Sequence, residues 1–243
     1  MRTLSANGVW KAGNGKNPFR TKFTKKRAAA SGAFFLSPTK VVPHKWFWQL
    51  KGKKLLGFAS GGGQQIPIFS ALGAECTVLD YADQQCESER MVAQREGYKV
   101  EVVQADMTKR LPFDDESFDI IFHPVSNCYV EKVEPIFHEC YRVLKKGGIF
   151  LGGYDIGINY IFDEKQEKLA HALPFNPLQD EELYRESIGG GSGIQFSHTL
   201  QEQLGRQLQA GFRLTHLYED TNGEGNLHKY SIPCFVAVRA VKE

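Results

Sequence analysis

The chain has 243 residues, 42% of them hydrophobic, and a net charge of +2, the make-up of a globular domain with a substantial core rather than of a disordered or collagen-like chain. No apolar run reaches the roughly 18 residues of a membrane helix, and the first residues lack the apolar stretch of a secretory leader, so a cytoplasmic protein is expected. The five cysteines, Cys76, Cys86, Cys128, Cys140 and Cys234, are scattered without a C-x-x-C pair, which argues against a disulfide framework and against a metal site.

Charge is unevenly distributed. Residues 1–54 carry 13 Lys or Arg and no Asp or Glu, leaving 17 of the 30 basic residues against all 28 acidic ones in the remainder. Such an arm either binds an acidic partner such as nucleic acid or docks on its own acidic body. Trp10, Phe19, Phe23, Phe34, Phe35, Trp46, Phe47 and Trp48 favour docking, because free tails are poor in aromatics. Residues 1–54 are therefore read as a basic, aromatic cap segment, and residues 55–243 as the main domain.

In chain order, residues 55–59 read as a buried strand and residues 64–72 as a short helix, with Pro67 tolerable near its first turn and Gly73 as its stop. Residues 76–81 form the next strand. Residues 83–96 form a polar helix ended by Gly97, and residues 98–107 alternate as a strand. Residues 118–125 are again a buried strand. Residues 132–146 are a helix with Ile136, Cys140, Val143 and Leu144 at helical spacing, stopped by Gly147 and Gly148. Residues 149–154 are a fifth strand. This alternation predicts an α/β, doubly wound parallel sheet with helices on both faces. Residues 156–197 lack strand rhythm and are read as a cap or lid insertion, with the run Gly189 to Gly193 as its hinge. Thr199 and Glu202 then suggest a capping box for a helix whose Leu200, Leu204 and Leu208 share a face. Residues 212–220 and 234–241 look like two closing strands.

Three glycines follow the first strand in Phe58-Ala59-Ser60-Gly61-Gly62-Gly63-Gln64-Gln65. In a doubly wound fold this turn is where backbone amides meet a ligand. The dinucleotide fingerprint G-x-G-x-x-G fails, since its third glycine position from Gly61 is Ile66. Asp80 ends the second strand, where a carboxylate can accept both ribose hydroxyls of an adenosine. Asp106 ends the third, where it can accept from an adenine amino group while Met107 packs on the ring. A helix cap and a turn residue are the plainer roles of these two aspartates.

The order ASGGG, VLDY, QADM, LPFDDESFDIIF and YRVLKKGGIFLGG resembles class I S-adenosylmethionine-dependent methyltransferases, especially the small-molecule enzymes of the ubiquinone/menaquinone type. The similarity covers about residues 50–155. It implies a Rossmann-like seven-strand sheet, mostly parallel with an antiparallel last strand. It also implies S-adenosylmethionine as cofactor, bound by Ala59, Ser60, Gly61, Gly63, Gln64, Asp80, Tyr81, Asp106, Met107 and His123. Two positions depart from the pattern. Gly57 stands where the family carries an acidic residue. Ala59 stands where it carries glycine, which Ala replaces comfortably only in ordinary dihedral space.

Methyl transfer is an in-line displacement from an already activated donor, so alignment supplies much of the catalysis. Acceptor contacts are expected after strand four, in FHPVSNCYV. His123 there is the candidate base, or a group that orients the cofactor, or a histidine satisfied by backbone. Asn127 and Tyr160 are candidate acceptor contacts, and Tyr154, Phe162 and His198 are further candidates for the pocket. His-Pro-Val-Ser does not match the N/D-P-P-Y/F motif of amino-methylating nucleic-acid enzymes. The expected acceptor is a small molecule. An RNA or protein methyltransferase using the basic segment, and a non-catalytic S-adenosylmethionine-binding module, are the alternatives.

Overall fold

A computed structural model describes residues 33–47, 49–189 and 193–243. The chain forms one seven-stranded sheet in the order β3-β2-β1-β4-β5-β7-β6. The strands are β1 (Lys54–Phe58), β2 (Glu75–Asp80), β3 (Val100–Gln104), β4 (Phe118–His123), β5 (Leu144–Asp155), β6 (Phe212–Asp220) and β7 (Phe235–Lys242). β1 to β5 pair in parallel, and β7 runs antiparallel between β5 and β6. The predicted sheet and its antiparallel last strand are thus present. The central strands are covered on both faces, which is why β1 and β4 read as continuous apolar runs rather than alternating ones.

The helices are α1 (Ile66–Ala71), α2 (Asp83–Glu96), α3 (Glu134–Val143), α4 (Glu181–Gly189), α5 (Arg206–Gln209) and α6 (Gly225–Lys229). Pro67 lies in the first turn of α1, where its missing N–H costs nothing. Gly97 closes α2 at φ +72. α3 is shorter than its periodicity suggested, because the chain turns extended at Leu144 and starts β5 there. One face of the sheet packs under α3 through Ile136, Phe137, Cys140 and Val143. The two sequence pieces flanking this face clasp each other. Arg142, from RVLKKGG, donates to the carbonyls of Phe113 and Leu111 and to Asp115 and Glu139, tying LPFDDESFD to α3.

The other face is covered by α1 and by part of the N-terminal segment. Phe34, Leu36, Val42, Trp46 and Leu50 belong to its core, and Phe34 stacks on Phe69 at 3.9 Å. Two polar anchors and one close backbone contact hold this strap. Gln65 accepts from the Phe35 amide at 2.7 Å and donates to the Phe35 carbonyl at 2.9 Å. The Leu36 carbonyl rests against Gly153, where any side chain would strike it. Asp220, 2% exposed at the end of β6, accepts from Ser37, from the Thr39 amide and hydroxyl, and from the Lys40 amide. Residues 33–47, 49 and 50 therefore pack as a layer on the sheet, while residues 1–32, Trp48 and residues 190–192 of the expected hinge lie outside the described residues.

Of the expected leucine face after residue 199, only Leu204 packs against the core. The capping box forms, with Glu202 accepting from the Thr199 amide at 2.8 Å and donating its own amide to the Thr199 hydroxyl at 3.1 Å. The next turn, Gln201–Gly205, is a π turn leading into α5. The buried side chains are Gln203 and Gln207, while Leu200 and Leu208 are 48% and 55% exposed. The buried side chain of Asn127 demands a hydrogen-bond partner here, which a leucine cannot supply. Among the described residues, no helix is long and apolar enough to cross a membrane.

Candidate active site

The carboxyl ends of β1, β2 and β3 bring Ala59–Gln65, Asp80–Tyr81 and Asp106–Met107 to one edge of the sheet. The Ala59 amide still bonds to the Leu79 carbonyl at 2.8 Å, and the chain then breaks out of the strand. It does so with Ala59 at φ +48. The condition for a comfortable alanine is thus not met: this is the left-handed region a family glycine would enter freely, at a cost for alanine of about 1 kcal/mol. At Gly57 a Cβ would come within 2.5 Å of Ser60 Oγ and 2.6 Å of Ile66 Cδ1, so a side chain there requires both to shift. Other carboxylates order the loop instead. Asp80 accepts from the Gly61 amide at 3.0 Å, and Glu89 from the Gly63 amide at 2.6 Å. Glu89 is fully buried. Burial raises its pKa, against the hydrogen bonds from Tyr98 and Gly63.

The glycines are required largely by the protein. A Cβ on Gly61 would meet Asp80 Oδ2 at 2.9 Å, and one on Gly62 would meet Gln85 Oε1 at 2.5 Å. One on Gly63 would run into Val92. The loop lies down on α2, and that close approach fixes its shape. Asp80 also accepts from the Ala82 amide at 3.0 Å, so Asp80, not Asp83, steadies the entry to α2. Asp106 Oδ1 holds a turn by accepting from the Thr108 amide at 2.8 Å and hydroxyl at 2.7 Å. Met107 is buried in the core, while Tyr81 is 49% exposed. Ser60 Oγ is buried with no hydrogen-bond partner among the described residues. A buried hydroxyl in that state, in the turn after β1, fits a polar ligand.

His123 is fully buried. Nδ1 lies 2.9 Å from the Phe58 carbonyl, and Nε2 lies 2.7 Å from Asn127 Oδ1. Burial lowers its pKa, against the hydrogen bonds to Phe58 and Asn127. With both ring nitrogens engaged it joins β1 to the segment after β4, and it is not the open general base the sequence suggested. Asn127 is likewise occupied: its Nδ2 donates to Gln203 Oε1 at 2.8 Å. The Tyr160 hydroxyl donates to Gln195 at 3.0 Å, and its ring stacks on Phe175 at 5.1 Å, inside the insertion. Tyr154 lies in the core and Phe162 packs near β7. His198 alone of the suggested pocket residues lines a cleft. That cleft, about 430 Å³, is walled by Ile156 and Gly157 just past β5, by Leu173, Pro174 and Ser197 of the insertion, and by α5 and the turn before it. Gln203, Gln65 and Glu89 were missed from sequence because nothing local marks a glutamine or glutamate whose partner is distant.

A wound sheet of this order, with a glycine loop after β1 and acidic residues after β2 and β3, defines a class I methyltransferase. Residues 56–152 match the family model described as a methyltransferase domain. The chain is 39% identical over 217 residues to the uncharacterized methyltransferase YbaJ of Bacillus subtilis, a match spanning 85% of this chain and 83% of that protein. It belongs to the S-adenosylmethionine-dependent methyltransferase family, and S-adenosylmethionine is its cofactor. A sterol 24-C-methyltransferase of Gibberella zeae is 31% identical over 172 residues, which are 70% of this chain and 41% of that protein. Among solved structures, an S-adenosylmethionine-dependent methyltransferase from Mesorhizobium loti shares the fold, with a TM-score of 0.65 and 17% identity, over 82% of this chain and 94% of that one.

Proposed function

We propose that the protein transfers the methyl group of S-adenosylmethionine to a small-molecule acceptor bound at the carboxyl edge of the sheet. The observation carrying this reading is the cleft of about 430 Å³ that the insertion closes over the end of β5, a size suited to a small organic ligand. The named activity of the Gibberella relative supports the same acceptor class. The cofactor is assigned to Ala59, Ser60, Gly61, Gly63 and Gln64 of the loop, to Asp80 and Tyr81, and to Asp106 and Met107. When bound it supplies a sulfonium-activated methyl group. The chain's part is to hold the adenosine on Asp80 and Asp106, to engage the free Ser60 hydroxyl, and to keep water from the reacting atoms. Five buried free thiols support a reducing, cytoplasmic setting.

Calorimetric titration with S-adenosylmethionine and S-adenosylhomocysteine, with NAD as control, tests the cofactor assignment. Both adenosyl ligands are expected to bind in the micromolar range and NAD not at all. A screen of small hydroxyl and amine acceptors at low and high salt then tests the substrate class. Turnover on a small acceptor that barely changes with salt supports the reading. Turnover only on RNA, falling steeply with salt, overturns it.

A further inference from the structure

The cleft beside β5 contains a histidine in a defined tautomer. His198 is 4% exposed and forms part of the cleft wall. Its Nε2 faces two backbone carbonyls, Asn127 O at 3.0 Å and Val130 O at 2.9 Å. Two acceptors on one nitrogen fix the proton there, so Nδ1 of the neutral ring carries the lone pair. Among the described residues Nδ1 has no hydrogen-bond partner. Its charged neighbours in the cleft are occupied. Glu202 Oε2 accepts from the Thr199 amide and hydroxyl, and Arg206 donates to Gln209 at 2.7 Å and lies 3.6 Å from Glu134. The rest of the lining is apolar at Ile156, Leu173 and Pro174 and polar at Ser197, Thr199, Gln201 and Gln209.

Asn127 links this histidine to the cofactor side. Its side chain binds His123, which abuts the Phe58 carbonyl at the start of the glycine loop, and its carbonyl holds His198. A single residue thus sets both rings relative to the end of β1.

We propose that this cleft is the acceptor site and that His198 Nδ1 receives the proton of an acceptor hydroxyl carried on a compact apolar body, such as a phenolic ring. The inference rests on the methyl-transfer reading. In the balanced step the acceptor oxygen forms its new bond to the methyl carbon as the carbon–sulfur bond breaks. That bond's electron pair stays on sulfur, the hydroxyl proton goes to Nδ1, and the positive charge of the donor ends on the imidazolium. His198 is then the catalytic base, and His123 and Asn127 are positioning residues.

The test uses the full chain labelled with 15N-histidine and loaded with S-adenosylhomocysteine, with phenol as probe and toluene as the same ring without the hydroxyl. His198 should show a protonated Nε2 and a bare Nδ1, and phenol but not toluene should shift the Nδ1 resonance upfield. His198→Gln keeps a donor near Nε2 for the two carbonyls and has no atom at Nδ1. It should bind phenol about fivefold or more weakly, the scale of one hydrogen bond, with affinity for S-adenosylhomocysteine unchanged. A proton on Nδ1, phenol binding that leaves His198 unmoved, no phenol binding, or equal phenol affinity in the variant each overturn the proposal. The tautomer and the phenol shift are read on the wild-type protein, so a variant that fails to fold does not shelter it. Failure of S-adenosylhomocysteine to bind the wild type removes the methyltransferase reading itself, separately from the assignment of His198.

Discussion

The two sides of the candidate site are held together differently. On the cofactor side, carboxylates accept from backbone amides of the same or an adjoining element: Asp80 from Ala82 and from Gly61, Asp106 from Thr108, and Glu89 from Gly63. On the acceptor side and under the strap, the bonds join distant segments: Asn127 to Gln203, His198 to Asn127, and Ser37 to Asp220. Bonds from carboxylates to backbone amides shape the glycine loop. Bonds between segments 71 to 183 residues apart hold the strap and the segment that walls the cleft. The difference teaches where substitutions should strike ligand binding and where they should strike stability.

The strap should give the largest effect. Asp220→Asn turns a carboxylate with several donors into an amide that repels some of them, and is expected to cost about 2–4 kcal/mol at neutral pH in denaturant unfolding. Burial pushes the Asp220 pKa up, but the bonds from Thr39, Ser37 and Lys40 outweigh it and leave it below the ordinary 3.8. The stabilisation is thus complete above that value and is lost as pH falls through the lower folded-state value. The gap between wild type and Asp220→Asn should close in that acid range. A gap that persists there would show that the anchor does not act through charge.

Asp80→Ala addresses the cofactor side. Affinity for S-adenosylmethionine should fall by about 1–3 kcal/mol in calorimetry. Unchanged affinity in a folded variant would remove the adenosine from Asp80 and break the contrast. Gln203→Leu makes the buried position apolar but strands the Asn127 amide. About 1–2 kcal/mol of stability should be lost, with cofactor affinity changed little. A more stable variant would mean the buried polar chain is dispensable. The smallest effect is expected at the turn after β1. Ala59→Gly should gain about 1 kcal/mol in thermal or denaturant unfolding by releasing the left-handed strain. A loss of stability would show that the glycine's extra freedom in the unfolded chain outweighs it.

The succession of strands and helices, the limits of α2 and the capping box were legible because each has a local signature: apolar runs, a glycine stop, a threonine three residues before a glutamate; the antiparallel end of the sheet came with the family resemblance. The motif pieces LPFDDESFD and RVLKKGG marked the family, and their role is architectural, since Arg142 clasps one to the other. The site was legible in part. Asp80 and Asp106 stand where their strands end. His123, Asn127 and Tyr160 fall in the expected segments, but their polar atoms are consumed by the protein.

By itself the sequence determined the alternation of strands and helices and the glycine loop, because periodicity and turn chemistry act over a few residues. Tertiary structure alone decided the strand order, that Ala59 is left-handed, that Gln203 and Gln207 are buried while Leu200 and Leu208 are exposed, that residues 33–47, 49 and 50 form a layer on the sheet, and that His198 reaches the cleft while His123 does not. Each of those outcomes depends on whether a polar atom meets a partner from a remote segment, and no local pattern encodes that encounter.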